Sequence, residues 1–205
     1  MSFDAPVTLI IIAITCVVSI MAFSRQALLD DLVFWPTMIA RKHAYYRFVS
    51  YGLVHADGSH LLFNMLTLFF FGRYMEPFFT GLLGPAGFLL FYLGALLVSI
   101  VPSWLRHRHD LGYRSLGASG AVSAVLFAFI LLAPWARIYV LVIPLPAILY
   151  AAAYVAYSIY MDRMGRDRVN HSAHLWGAAY GVLFTCIVQP AVIPHFLATL
   201  AQPGF

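Results

Sequence analysis

Three short motifs in this chain of 205 residues bring together residue types that can do chemistry. The first is Gly117-Ala118-Ser119-Gly120. A serine at a helix start sits beside backbone N–H groups with no intrahelical acceptor and at the positive end of the helix dipole. Those donors suit a nucleophile whose intermediate carries an oxyanion. The same four residues also suit an N-cap or a small-residue packing patch. The second motif is Ala173-His174-Leu175-Trp176-Gly177, followed by Gly181. A serine hydroxyl attacks carbonyls poorly unless a base takes its proton, and histidine is the usual base near neutral pH. Gly177 and Gly181 form a Gly-x-x-x-Gly pair that lets another helix backbone come close, and His174 lies one turn above Gly177 on about the same face. Close approach of the two helices would carry His174 toward Ser119. The alternative is a packing face with a hydrogen-bonded histidine. The third motif is His60 with Asn64, four apart and so on one helix face. They are either donors aimed at a developing oxyanion or hydrogen-bonding glue between helices. Asp162 and Asp167 lie in the loop before the His174 helix, and no spacing ties them to it. The chemistry implied is therefore a serine–histidine dyad rather than a triad.

The elements that must position these residues are membrane helices. The chain is 62% hydrophobic and 10% charged, with a mean hydropathy of +0.86. A soluble domain is about half apolar and about one quarter charged, so lipid must be the solvent here. Apolar runs long enough to span predict an all-α polytopic membrane protein with six transmembrane helices, at about 6–23, 59–75, 82–105, 117–135, 138–161 and 172–192. Pro190 and Pro194 end the last. Only Pro134 to Arg137 join the fourth and fifth, so those two run antiparallel. Helices two, four and six cross in one direction, and their N-terminal ends share one membrane face. His60, Asn64, Ser119 and His174 all sit at those ends. Polar residues inside a membrane are costly and usually face the protein interior.

The whole chain, 1–205, reads as one membrane domain with no added soluble domain. Its long first loop, about 24–58, mixes apolar, aromatic and charged residues and suits the membrane interface. The first run lacks a basic leader and a cleavage site, so it reads as a membrane helix rather than a signal peptide. Cys16 and Cys186 lie in apolar runs and read as small buried hydrophobes. The net charge of +4 comes from basic residues scattered over short loops, which excludes a nucleic-acid-binding face. His60-Leu61-Leu62-Phe63-Asn64 lacks the glutamate and second histidine of a zinc-protease helix. A small transporter would need an internal repeat or an unwound apolar segment, and the sequence has neither.

Taken in order, these motifs resemble those of the rhomboid intramembrane serine proteases over nearly the whole chain. Arg47 resembles the arginine of the family's first-loop Trp-Arg motif, Glu76 the buried glutamate at the end of helix two, and His55 a first-loop histidine. The resemblance implies a six-helix rhomboid bundle and a serine endopeptidase. Ser119 would be the nucleophile and His174 the general base. His60, Asn64 and the Ser119 backbone would form the oxyanion hole. Gly117, Gly120, Gly177, Gly181, Arg47 and Glu76 would give structural support. The implied substrates are transmembrane segments of other membrane proteins, often cut after a small residue, with helix five and the loop 162–171 gating entry. No metal or organic cofactor is implied. Three departures stand out: Tyr46 for tryptophan, Thr80 for the glycine of a Gly-x-x-x-Glu-x-x-x-Gly pattern, and Ser123 where many members stack an aromatic on the catalytic histidine. A catalytically inactive or slow rhomboid-like protein that binds membrane helices is the alternative, although such relatives usually lack the serine or the histidine.

Charge and resemblance disagree on orientation. Arg25, Arg41, Lys42, Arg47, Arg106, Arg108, Arg114, Arg163, Arg166 and Arg168 lie on the active-site side, and only Arg73 and Arg137 on the other. The positive-inside rule would put the active-site end in the cytoplasm. The resemblance implies a bacterial inner membrane with that end outside.

Overall fold

The computed structural model describes residues 5–140, 142–165 and 169–203, and is mostly helical. Helix α1 (Pro6–Ser24) leads into three short helices, α2 (Gln26–Leu32), α3 (Pro36–Lys42) and α4 (Arg47–Ser50), and a 3-10 turn at Tyr51–Leu53. Long helices α5 (Gly58–Leu83) and α6 (Gly87–His107) follow, then the shorter α7 (Ser119–Leu132). An antiparallel hairpin, β1 (Arg137–Val140) with β2 (Ile143–Pro146), precedes α8 (Ala147–Met164), α9 (His171–Val188) and α10 (Val192–Leu200).

The helices are inside-out relative to a soluble protein. On α1, Thr8, Thr15 and Ser19 are buried at 1%, 0% and 0% exposure, while Ile10, Val17 and Ile20 are 56%, 58% and 60% exposed. Large apolar groups outward and small polar groups inward is the pattern that lipid selects, because helices in lipid associate through close packing and hydrogen bonds. By length and composition α1 and α6 can each cross a membrane, and α9 with α10 passes the same test as a pair bent by 116°.

Buried charge fixes α1 and the first loop. Glu76, deep in α5, accepts the backbone N–H groups of Val7 (2.9 Å) and Thr8 (2.6 Å), so its carboxylate caps the start of α1. Arg47 is 4% exposed. Its Nη1 donates to the carbonyls of Asp30 and Val33, both at 2.8 Å, and Nη2 lies 3.6 Å from Asp31. One guanidinium thus holds the end of α2 against α4.

α7 sits at the centre, with every residue from Gly120 to Ala128 buried. α9 lies directly on it, α6 and α5 flank it, and α8 packs at the edge against α9 and α7.

Two expectations are corrected. The apolar run at 138–161 is not helical from its start: Arg137–Val140 and Ile143–Pro146 are the paired strands of the hairpin, and α8 begins at Ala147. Pro144 and Pro146 explain this, since proline inside a helix removes a hydrogen bond and clashes with the preceding turn. The connection from α7 to α8 is accordingly longer than Pro134–Arg137. α5 runs on past Met75 through Pro77 to Leu83.

Candidate active site

Ser119 is the first residue of α7, and its Oγ lies 2.7 Å from Nε2 of His174 on α9. Glycines make this approach possible. A Cβ on Gly177 would run into the Gly120 carbonyl oxygen and lie 3.0 Å from the Gly120 Cα. One on Gly181 would strike the Ala124 carbonyl oxygen and sit 2.8 Å from its carbon. One on Gly120 would meet Ser99 Oγ of α6 at 2.5 Å. Two helices therefore close on α7: α9 with backbone nearly touching backbone, and α6 through the Ser99 side chain.

The strand of chain entering α7 is tied to the first loop. Phe34 and Ser115 exchange backbone hydrogen bonds of 2.9 and 3.0 Å, and the Gly117 N–H donates to the Tyr51 carbonyl at 2.9 Å. The Ala118 N–H donates to His55 Nε2 at 3.3 Å. Because Nε2 accepts, the His55 proton is on Nδ1, 3.0 Å from Ser19 Oγ, whose own hydroxyl donates to the Leu53 carbonyl at 2.8 Å. Burial, with His60 nearby, lowers the His55 pKa to about 3, so the ring is neutral as this relay requires. Gly117 has φ of 110°, and a Cβ there would also fall 2.6 Å from His60 Cε1. Only glycine serves at that position.

His60 stands in the first turn of α5, which Asp57 caps by accepting the His60 N–H at 2.8 Å. The Ala56 N–H points at His60 Nδ1 (3.4 Å), which leaves the proton on Nε2 beside Gly117. Asn64 spends one amide proton on the His60 carbonyl at 2.9 Å. It also lines a cavity of about 130 Å³ together with Ser119, Val122, Ser123, Tyr150 and Tyr154. A larger hollow of about 280 Å³, at Thr37, Arg41 and Arg108, contains none of the chemical residues.

Two contributors, Tyr154 and Asn170, are absent from the sequence reading. Ser123 Oγ donates to the Ser119 carbonyl at 2.8 Å, and Tyr154 Oη lies 2.6 Å from that Oγ. The Tyr154 ring also stacks on His174, with centroids 6.1 Å apart and planes 27° from parallel. An aromatic does face His174, but from α8 rather than from position 123. The other is Asn170, the N-cap of α9, which accepts the Ala173 N–H at 3.0 Å. Its Nδ2 lies within 3.1 Å of the hydroxyls of Ser103, Tyr113 and Ser115. An asparagine just ahead of an apolar helical run is a recognisable start signal, whereas nothing in sequence marks Tyr154.

A family model for the Rhomboid domain matches residues 42–191. The mitochondrial RHOMBOID-like protein 12 of Arabidopsis thaliana is 32% identical over 145 residues, 63% of this chain and 42% of that protein. The mitochondrial Rhomboid protein 1 of Saccharomyces cerevisiae is 32% identical over 143 residues, 67% of this chain and 40% of that protein. The rhomboid protein YdcA of Bacillus subtilis is 26% identical over 151 residues, 70% of this chain and 68% of that protein. The chain thus spans about two fifths of the length of the two mitochondrial relatives it matches. It belongs to the rhomboid family.

Proposed function

We propose that this rhomboid family member is an intramembrane serine endopeptidase that cleaves transmembrane segments of other membrane proteins with a Ser119–His174 dyad. The observation that carries the reading is the 2.7 Å contact between Ser119 Oγ and His174 Nε2 at the N-terminus of a buried helix.

In the first half-reaction Ser119 Oγ attacks the scissile carbonyl carbon as its proton passes to His174 Nε2. The carbonyl oxygen becomes an oxyanion, within reach of the Ser119 backbone N–H, the second Asn64 amide proton and His60 Nε2–H. Collapse breaks the C–N bond, and His174 returns the proton to the leaving amine. Water then attacks the acyl-serine, His174 takes a proton from it, and the new carboxyl end departs as Ser119 recovers its own. No metal or cofactor enters. The modest cavity beside Ser119 favours a small side chain at the cleaved residue.

In this reading residues 1–205 form one membrane domain in which α1, α5, α6, α7, α8 and α9 cross the bilayer and α2–α4 lie at the interface. We assign it to a bacterial-type inner membrane with the Ser119 end away from the cytoplasm. Partners are bilayer lipid and helical substrates.

The test is a fluorophosphonate probe on purified protein, paired with cleavage of a model transmembrane substrate. Wild type should label and cleave, and Ser119→Ala and His174→Ala should each abolish cleavage while remaining folded. The double variant should add little, because residues acting as one unit are not additive. A folded wild type that neither labels nor cleaves would make this chain a non-catalytic helix binder.

A further inference from the structure

We propose that Tyr154 is a positioning residue for the dyad, so that His174 is held in line with Ser119 only while α8 is seated. The inference rests on the protease reading and extends it to an element that carries none of the sequence motifs.

Tyr154 makes two contacts of different kind to the two halves of the site. Its ring lies over His174, 6.1 Å between centroids and 27° from parallel. Its hydroxyl is 2.6 Å from Ser123 Oγ. The Ser123 proton is committed to the Ser119 carbonyl at 2.8 Å, so Tyr154 must be the donor in that pair. The relay Tyr154–Ser123–Ser119 carbonyl and the stack on His174 therefore start from one side chain. A tyrosine turned into a membrane bundle needs a partner for its O–H, and many hydroxyls on other helices would satisfy that need. Here the partner is the residue one turn below the nucleophile.

The sequence of α8 is built for this seat. Tyr150, Tyr154 and Tyr157 recur at helical spacing, and Tyr157 meets the His171 ring edge-on at 5.6 Å. His171 in turn meets His174 edge-on at 5.7 Å. The buried positions of α8 are Ala147, Ala151 and Ser158, small residues that let it lie close without interlocking. Near the site α8 is tied on by aromatic and polar contacts, Tyr157 to His171 and Tyr154 to His174 and Ser123. Movement of α8 away from α7 removes the ring from His174 and the hydroxyl from Ser123 in one step.

Five variants test this with the full chain in detergent or bilayers: Tyr154→Ala, Tyr154→Phe, Ser123→Ala, Tyr154→Phe combined with Ser123→Ala, and Tyr154→Ala combined with Ser123→Tyr. A positioning loss appears in kcat, and misplacement by about 1 Å can cost roughly 100-fold. Tyr154→Ala should lower kcat by about 10- to 100-fold with KM within about threefold. Tyr154→Phe keeps the ring and should lose about fivefold or less, in line with one neutral hydrogen bond. The double variant returns an aromatic to the vacated space from α7 and should recover most of the kcat that Tyr154→Ala loses. If Tyr154→Ala raises KM alone, Tyr154 only lines the cavity and the proposal falls. An unrescued double variant that is folded and labels poorly overturns it as well. A second arm does not depend on catalysis. Thermal midpoints of Tyr154→Phe, Ser123→Ala and their double variant should be non-additive, and additive midpoints refute the relay. Wild type that never labels, with non-additive midpoints, would remove the protease reading and leave the α8 coupling standing.

Discussion

Gly181→Ala tests the geometry that the whole site depends on, with the smallest possible change. The added Cβ would lie 2.8 Å from the Ala124 carbonyl carbon, and closer still to its oxygen. Carbon atoms in contact sit about 3.5–4.0 Å apart, so α9 must move off α7 by about 1 Å. Backbone on both sides leaves no side chain to swing away. If the shift carries through to His174, the dyad contact of 2.7 Å opens beyond hydrogen-bonding distance. Overpacking of this kind costs about 1–3 kcal/mol, and a misplacement of about 1 Å can cost roughly 100-fold in rate. Gly81→Ala is the control, because a Cβ there meets nothing within 4 Å. It should hold or slightly raise stability, since alanine favours a helix by up to about 1 kcal/mol over glycine. The assay is a thermal midpoint together with cleavage and probe labelling of Ser119 for both variants. Gly181→Ala should fall on all three and Gly81→Ala on none. A Gly181→Ala protein with wild-type midpoint and wild-type cleavage would show that the α7–α9 contact has room to spare and refute the reasoning.

Asn64→Ala should lower cleavage by less than the roughly 100- to 1,000-fold typical of a lost oxyanion donor, because His60 and backbone N–H groups remain, and probe labelling should persist; normal cleavage would return Asn64 to a packing role. His55 should make the protein acid-sensitive: its folded pKa of about 3 lies below the ordinary histidine value, so its contribution is full above about pH 6.5 and is lost as pH falls toward about 3. Between about pH 7 and pH 5 the loss should be about 2 kcal/mol, and a folded His55→Asn variant should show a shallower dependence of thermal midpoint on pH; equal slopes would contradict the neutral relay. Orientation is read by single cysteines at His109 and Ala201 in a chain with Cys16 and Cys186 replaced by alanine. A membrane-impermeant maleimide on intact cells should label the first and spare the second, and the reverse pattern would put the Ser119 end in the cytoplasm.

The motif residues were legible because their chemistry narrows the choice of side chain. A serine flanked by glycines and a histidine above a Gly-x-x-x-Gly pair have few alternative readings once helix direction is counted. Counting did not reach Glu76 and Arg47, which only the family resemblance marked as support; the fold reveals that one caps α1 and the other clamps α2 to α4. The start of α8 differs from the sequence expectation because hydropathy cannot separate an apolar hairpin from a helix, and Pro144 and Pro146 carry the distinction. In sequence, position 123 is a departure that leaves the support of His174 open, because an aromatic is expected there. It is instead the acceptor for a tyrosine 31 residues away. Periodicity reports which face a residue occupies on its own helix. It does not report which of twelve tyrosines crosses to a neighbour's site.

The length of α7 links this support to the chemistry. Its 14 residues rise only about 21 Å, against about 30 Å of bilayer hydrocarbon. If its far end reaches one interface, Ser119 lies below the other, and the chain leading to it must descend without regular structure. Irregular backbone at membrane depth is tolerated only when protein satisfies its polar groups. The first loop does that here: Phe34 pairs with Ser115, Tyr51 takes the Gly117 N–H, and His55 takes that of Ala118. Arg47 holds α2 against α4 through the Asp30 and Val33 carbonyls, and Val33 adjoins the Phe34 that pairs with Ser115. A hydrolytic serine needs water, and a short central helix with a packed loop over its start can bring water to Ser119 without exposing the bundle to it. In the proposed protease the first loop is the part of the site that makes a half-buried serine at membrane depth possible, and damage at Arg47 should reach Ser119 through the backbone before it reaches the helices.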